Sequence, residues 1–158
     1  MSQPRLSPDK RVKATLVARQ RSITMNNEEQ AVLEVVMNLL DSYSKRSVEG
    51  CMSAMAASKP ILLFGTSDND VFRTTEDVRA AFTKDFASMI NIRWGERRNI
   101  HVESTSTLAS VIVELPISYQ SDGENVETLY RYALTFTKEG GQWKICSGMA
   151  SVPFAAGT

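Results

Sequence analysis

Tyr130, Tyr132, Ser147 and Met149 occupy alternate positions in two runs rich in aromatic and β-branched residues. Side chains alternate faces along a strand, so residues two apart project together. Folding the runs about Lys138–Gln142 sets Phe136 opposite Trp143, Leu134 opposite Ile145, Tyr132 opposite Ser147 and Tyr130 opposite Met149. The result is one apolar face carrying phenols and an alcohol. Such a wall can orient a small, largely apolar ligand, but hydroxyls alone are weak proton carriers. A carboxylate buried beside them would have a raised pKa and could serve as a general base. Tyr43, Phe64 and Trp94 extend the candidate lining, with Asp68, Glu96 and Arg98 as its charged groups. Core filling is the competing reading for Tyr43, Phe64 and Trp143. Tyr130 and Tyr132 need partners for buried hydroxyls and favour a site more strongly.

The familiar catalytic and cofactor signatures are absent: no P-loop, GxGxxG, CxxC or HExxH. No cofactor is expected. Cys51 and Cys146 lack metal-ligand spacing and read as buried thiols, so no metal is expected either. The single histidine, His101, is expected on the outer face of the sheet beside Glu103.

The elements that must position these residues follow from periodicity. Gly140-Gly141 marks a hairpin between the two runs, and Asp122-Gly123 marks the one before it. In the simplest register of that earlier hairpin, Val113 meets Tyr132, Val111 meets Leu134, Ala109 meets Phe136, and Glu114 meets Arg131 on the reverse face. Opposite charges directly across a strand pair support this register. A long strand is expected over Ile92–Glu103 and another over Leu108–Tyr119, with Gly95 as a place where a bulge could break the phase.

Asn26-x-x-Glu29 is a capping box, and Val32, Val35, Val36, Leu39, Leu40 and Tyr43 repeat at helical spacing to about Lys45. Ser47 caps a second helix over Val48–Ala57. Pro60–Phe64 and Val71-Phe72 read as short strands about a turn. A third helix begins at Thr74 or Thr75, carries Val78, Phe82, Phe86 and Met89 on one face, and ends near Ile90. Helices segregated from strands predict an α+β fold: a curved antiparallel sheet forming a cone, its concave face covered by about three helices.

The 158 residues fit one domain, 26–158, preceded by a basic arm at 1–25. Arg5, Lys10, Arg11, Lys13, Arg19 and Arg21 against Asp9 give the arm a charge of +5 within a chain of net charge zero, leaving −5 on the rest. A helix is expected over residues 8–20, docked on protein. No aromatic side chain interrupts the basic residues as single-strand binders require, so nucleic acid is not expected as a partner. Neither a membrane-length apolar run nor a signal-peptide core is present, and a cytoplasmic location is expected.

Several stretches resemble the SnoaL-like family of the nuclear transport factor two-like superfamily. Leu40–Gly50 looks like the family's first helix exit, Phe64-Gly65-Thr66 its first hairpin, and Thr75–Arg79 the start of its third helix. Arg131, with Trp143-Lys144-Ile145 and Ser151-Val152-Pro153, resembles the closing hairpin and tail. The resemblance implies the cone fold over about Asn26–Phe154. It spans isomerases, dehydratases, cyclases, ligand binders and association domains, and fold does not choose among these. Members with this tail often carry a histidine just before it, where this chain has Ser147 and Met149, so a function relying on that histidine does not transfer. Two readings stand: a cofactor-independent lyase or isomerase with a cone pocket, or a non-enzymatic dimerisation or ligand-binding module.

The outer face of the sheet reads Ile112, Ala133 and Cys146 at its centre, with Glu114 and Arg131 beside them. Small and apolar residues there predict a homodimer through this face, and the resemblance implies the same.

Overall fold

The computed structural model describes residues 24–155, so the expected helix over 8–20 lies outside the described residues. Helix α1 spans Asn27–Ser44 and opens on the expected capping box. Asn26 accepts from the Glu29 amide at 2.8 Å, and the Glu29 carboxylate accepts from the Asn26 amide at 3.1 Å. Its apolar stripe buries Val32, Leu33, Val36 and Leu40. Helix α2, Val48–Met52, stops five residues short of expectation. The chain leaves it to pair with the sheet instead: Met55 bridges Ile145, and the Ala56 amide donates to the Ile145 carbonyl at 2.8 Å.

Strands β1 (Leu62–Phe64) and β2 (Val71–Phe72) precede helix α3, Thr75–Ser88, whose own capping box joins Thr74 and Asp77. The remaining strands are β3 (Met89–Trp94), β4 (Asn99–Ser104), β5 (Leu108–Ser121), β6 (Glu124–Glu139) and β7 (Gln142–Ser151). The sheet order is β2-β1-β7-β6-β5-β3, with β4 also paired to β5. All pairs are antiparallel except β1 with β7, which is parallel. The fold is the expected α+β cone, with a mixed sheet.

The β5–β6 register agrees with expectation at every pair named, and Arg131 Nε donates to Glu114 Oε2 at 2.6 Å. The expected single strand Ile92–Glu103 is two strands. Gly95 lies against Pro116, where a Cβ would come within 3.0 Å of the proline ring, and the chain leaves the ladder until Asn99.

The closing hairpin departs most. Gly140 and Gly141 form a two-residue turn with φ of +57° and +78°, so Glu139 faces Gln142 and Phe136 faces Ile145. This two-residue shift keeps the parity of the faces: Phe136, Trp143 and Ile145 are all buried. A bulge then intervenes. Phe136 pairs with Ile145 but Thr135 pairs with Ser147, leaving Cys146 as the extra residue. Beyond it Leu134 faces Gly148, Tyr132 faces Ala150 and Ala133 faces Met149.

The core runs between the concave face and the helices, around Val32, Val36, Val111, Val113, Phe136 and Ile145. A clasp closes one end. Trp143 Nε1 donates to Glu28 Oε2 at 2.9 Å, and Lys138 Nζ lies 2.9 Å from the same oxygen and 4.9 Å from the Trp143 ring centre. These contacts fix the start of α1 against the last hairpin.

Candidate functional site

The mouth of the cone opens between α3, the end of α1 and the β1–β2 hairpin, on a cavity of about 630 Å³. Its aromatic lining comes from three directions. Helix α1 supplies Tyr43, α3 supplies Phe82, and the sheet supplies Trp94, Tyr130 and Tyr132. These rings touch one another: Tyr43 to Trp94 at 5.8 Å between centres, Trp94 to Tyr130 at 5.9 Å, Trp94 to Tyr132 at 6.1 Å, and Tyr130 to Tyr132 at 5.7 Å. Trp94 Nε1 is buried without a hydrogen-bond partner among the described residues.

The charged centre of the cavity is Asp85, a residue the sequence reading did not single out. Its carboxylate accepts from the Tyr43 hydroxyl at 2.8 Å, and that hydroxyl lies 3.6 Å from Met89 Sδ. Two features bring the pair together. Phe82, Asp85 and Phe86 fall at i, i+3 and i+4 of α3, so Asp85 shares the inward face with two phenylalanines. Arg46, just past the end of α1 and at φ +55°, donates through Nε to the Phe86 carbonyl at 3.2 Å. The end of α1 thus grips the end of α3, one residue from Asp85. The signal was in the spacing: a carboxylate within an apolar stripe must be paired or desolvated.

Burial is the first cause that raises the Asp85 carboxyl above its ordinary value. Tyr43's hydrogen bond and Lys84 oppose it, and the charge of Asp70 adds to it. The Tyr43 hydroxyl is raised by burial and then by Asp85. Tyr132 is raised well above the ordinary range by burial, with contributions from Tyr130, Asp85 and Cys51. Tyr130 is raised chiefly by burial, and Asp85 and Asp70 add to the effect. All three phenols are therefore firmly protonated donors, and Asp85, its carboxyl raised above the ordinary value chiefly by burial, is the proton acceptor of this set.

Of the residues singled out from sequence, Tyr43, Trp94, Tyr130 and Tyr132 line this cavity. Phe64 and Met149 reach only its rim and are 44% and 47% exposed. They pair across β1–β7, in line with Ala133 of the outer face. Ser147 does not belong to the lining, because the Cys146 bulge turns it to the outer face opposite Thr135. Asp68 is exposed in the β1–β2 turn, where Asp70 takes the inward position and its carboxylate accepts from the Ser67 amide at 3.0 Å. Arg98 and Glu96 are exposed in the break after Gly95 and lie outside the cavity. His101 lies on the outer face, 3.1 Å from Glu103. Cys146, expected on the outer face, is buried and packs in the core, its Sγ 3.5 Å from the Thr135 carbonyl. Among the described residues, no group of three His, Cys, Asp or Glu could hold a metal ion, and no helix is long and apolar enough to cross a membrane.

Comparison with known proteins agrees with this fold. A dehydratase proposed for the NTF2-like family, from Streptomyces avermitilis, superposes with a TM-score of 0.72 at 16% identity, covering 82% of this chain and all of that one. A ketosteroid isomerase-like protein from Erwinia carotovora atroseptica gives 0.70 at 12% identity, over 83% of this chain and all of that one. A proposed scytalone dehydratase from Novosphingobium aromaticivorans gives 0.70 at 14%, over 80% and 85% of the two chains. At these identities the likeness establishes the fold. No curated protein matches the sequence. The SnoaL-like domain profile matches residues 32–155, and the chain belongs to the SnoaL-like family.

Proposed function

We propose that the cavity binds a small, largely apolar molecule and moves a proton on it without a cofactor, as a lyase or isomerase does. The observation that carries this reading is the Asp85–Tyr43 pair. It couples a desolvated carboxylate to a phenol at 2.8 Å inside an aromatic cavity of about 630 Å³. Asp85 is the general base. Tyr43 holds it in one rotamer, and Tyr130 and Tyr132 present protonated hydroxyls to oxygen or nitrogen on the ligand. The dehydratase and isomerase names borne by structural neighbours support the same reaction class. The test is deuterium incorporation: the protein is incubated in heavy water with a panel of small molecules bearing an acidic C–H bond and followed by proton NMR. Catalysed exchange for at least one member is expected. Saturable binding with no exchange above background across the panel would leave a ligand-binding module instead.

The outer face of the sheet supports a homodimer as well. The bulge that removes Cys146 and turns Met149 outward enriches this face. Ile112 of β5 is 57% exposed, and across Ala133 of β6 its row continues to Met149 of β7 and Phe64 of β1, with Leu62 nearby on β1. Glu114 and Arg131 lie directly beside this patch and would be shielded near a two-fold axis. Light scattering at micromolar concentration should give twice the chain mass. Arg131→Glu should shift the population toward monomer with circular dichroism unchanged; a monomeric parent protein would refute the dimer.

A further inference from the structure

We infer that the ligand of this cavity is an organic cation, an amine or quaternary ammonium on a small apolar frame. The inference rests on the reading of the cavity as a small-molecule site and names its substrate class.

The charged residues lining the cavity are Asp70, Asp77, Asp85 and Lys84. Lys84 is exposed, and Asp77 is committed to capping α3 through the Arg73 and Thr74 amides. Asp70, which also accepts from the Ser67 amide, adds its charge to that of Asp85. Although Lys84 offsets Asp85 in part, three carboxylates face one ammonium, with no arginine or histidine in the lining among the described residues. A neutral or anionic ligand would leave that repulsion in place. A cation relieves it.

The remaining wall suits the same guest. Tyr43, Trp94, Tyr130 and Tyr132 form a continuous aromatic surface, and aromatic faces attract ammonium groups through their quadrupoles, tryptophan most strongly. The phenols stay protonated beside the two carboxylates, so they add dipoles and no further charge. A bound cation would also favour ionised Asp85, so that the base is unprotonated when its substrate is present.

A matched pair tests this. Choline and its uncharged carbon isostere, 3,3-dimethylbutan-1-ol, have the same shape and differ by the charge. Titrations followed by tryptophan fluorescence, of the parent and of Trp143→Phe so that Trp94 alone reports, and by calorimetry should show the cation binding at least about tenfold tighter. The preference should collapse in Asp85→Asn and in Asp70→Asn, neither of which adds volume. Equal or tighter binding of the alcohol overturns the cation, and if Tyr132→Trp then abolishes binding of both, the cavity stands as the ligand site. Cation binding that persists in Asp85→Asn, Asp70→Asn and Tyr132→Trp alike lies elsewhere and overturns the inference. Absence of saturable cation binding also overturns it, while deuterium exchange on a neutral panel member would still uphold the catalytic reading.

Discussion

Asp85→Asn should remove proton transfer and, at the same time, make the protein more stable at neutral pH. The two effects have one cause. The carboxylate is held in a partly desolvated site where its charged form is disfavoured, chiefly by burial. Asparagine keeps the shape and still accepts the Tyr43 hydrogen bond through Oδ1. It cannot take a proton, so exchange or turnover should fall by roughly 10²–10⁴, the usual contribution of a positioned base. Activity of the parent protein should rise with pH through the raised Asp85 pKa, and the variant's residual rate should lack that limb.

Stability follows from linkage. A carboxyl whose folded pKa is raised binds its proton more tightly in the folded state than in the unfolded chain. Its contribution is most favourable below the unfolded value, 3.8, and is lost as pH rises through the folded pKa. Above that window the parent carries the full cost of the buried charge, whereas asparagine carries none. Thermal melts should therefore show the variant above the parent at pH 7, with the gap closing as pH falls to 3.8 and below. A variant less stable than the parent at pH 7 would mean that Asp85 is a structural hydrogen-bonding residue. Gain of stability with loss of function is the expected signature of a strained site.

How much of this was legible depended on whether the determinant was local. Both capping boxes lie within four residues of chain; the one at Asn26 is legible in the sequence, whereas for the third helix the sequence offers Thr74 or Thr75 as the cap and the structure selects Thr74, with Asp77 completing the box. The β5–β6 register was legible because Asp122-Gly123 closes a two-residue turn and the pattern of Val111, Val113, Tyr132 and Leu134 admits one phase. Asp85 was overlooked because charged residues on a helix are usually solvated, although Phe82 and Phe86 flank it at helical spacing. The parallel pairing of β1 with β7 joins residues some 85 apart, Leu62 with Ser147, and no local signal encodes it. The bulge at Cys146 is of the same kind. It is fixed by what β7 meets on both sides, Thr135 of β6 and Leu62 of β1, and a one-residue change there exchanged Ser147 and Met149 for Gly148 and Ala150 on the concave face.

Gly148→Val should destabilise the fold by several kcal/mol, more than any surface change on the same strand. Gly148 has φ of +152° and pairs with Leu134 on one side and Leu63 on the other. A Cβ built there would fall 2.4 Å from the Ala133 carbonyl oxygen and 2.9 Å from a Leu134 methyl. The first of these is backbone held in the ladder and cannot step aside as a side chain could. Valine therefore requires either a shift of β7 away from β6 or a return to ordinary φ that undoes the pairing beyond the bulge. Both routes disturb the neighbouring residues. Ala150 opposite Tyr132 would move, and with it the floor beneath the phenols. The expected result is a large drop in denaturation midpoint and, in whatever fraction folds, weakened ligand binding with Asp85 intact. Gly148→Ala should show the same direction with a smaller magnitude. If both variants melt within about 0.5 kcal/mol of the parent, the ordinary range for surface substitutions, the close approach of β6 and β7 at this point is wrong, and the outward placement of Ser147 and Met149 falls with it.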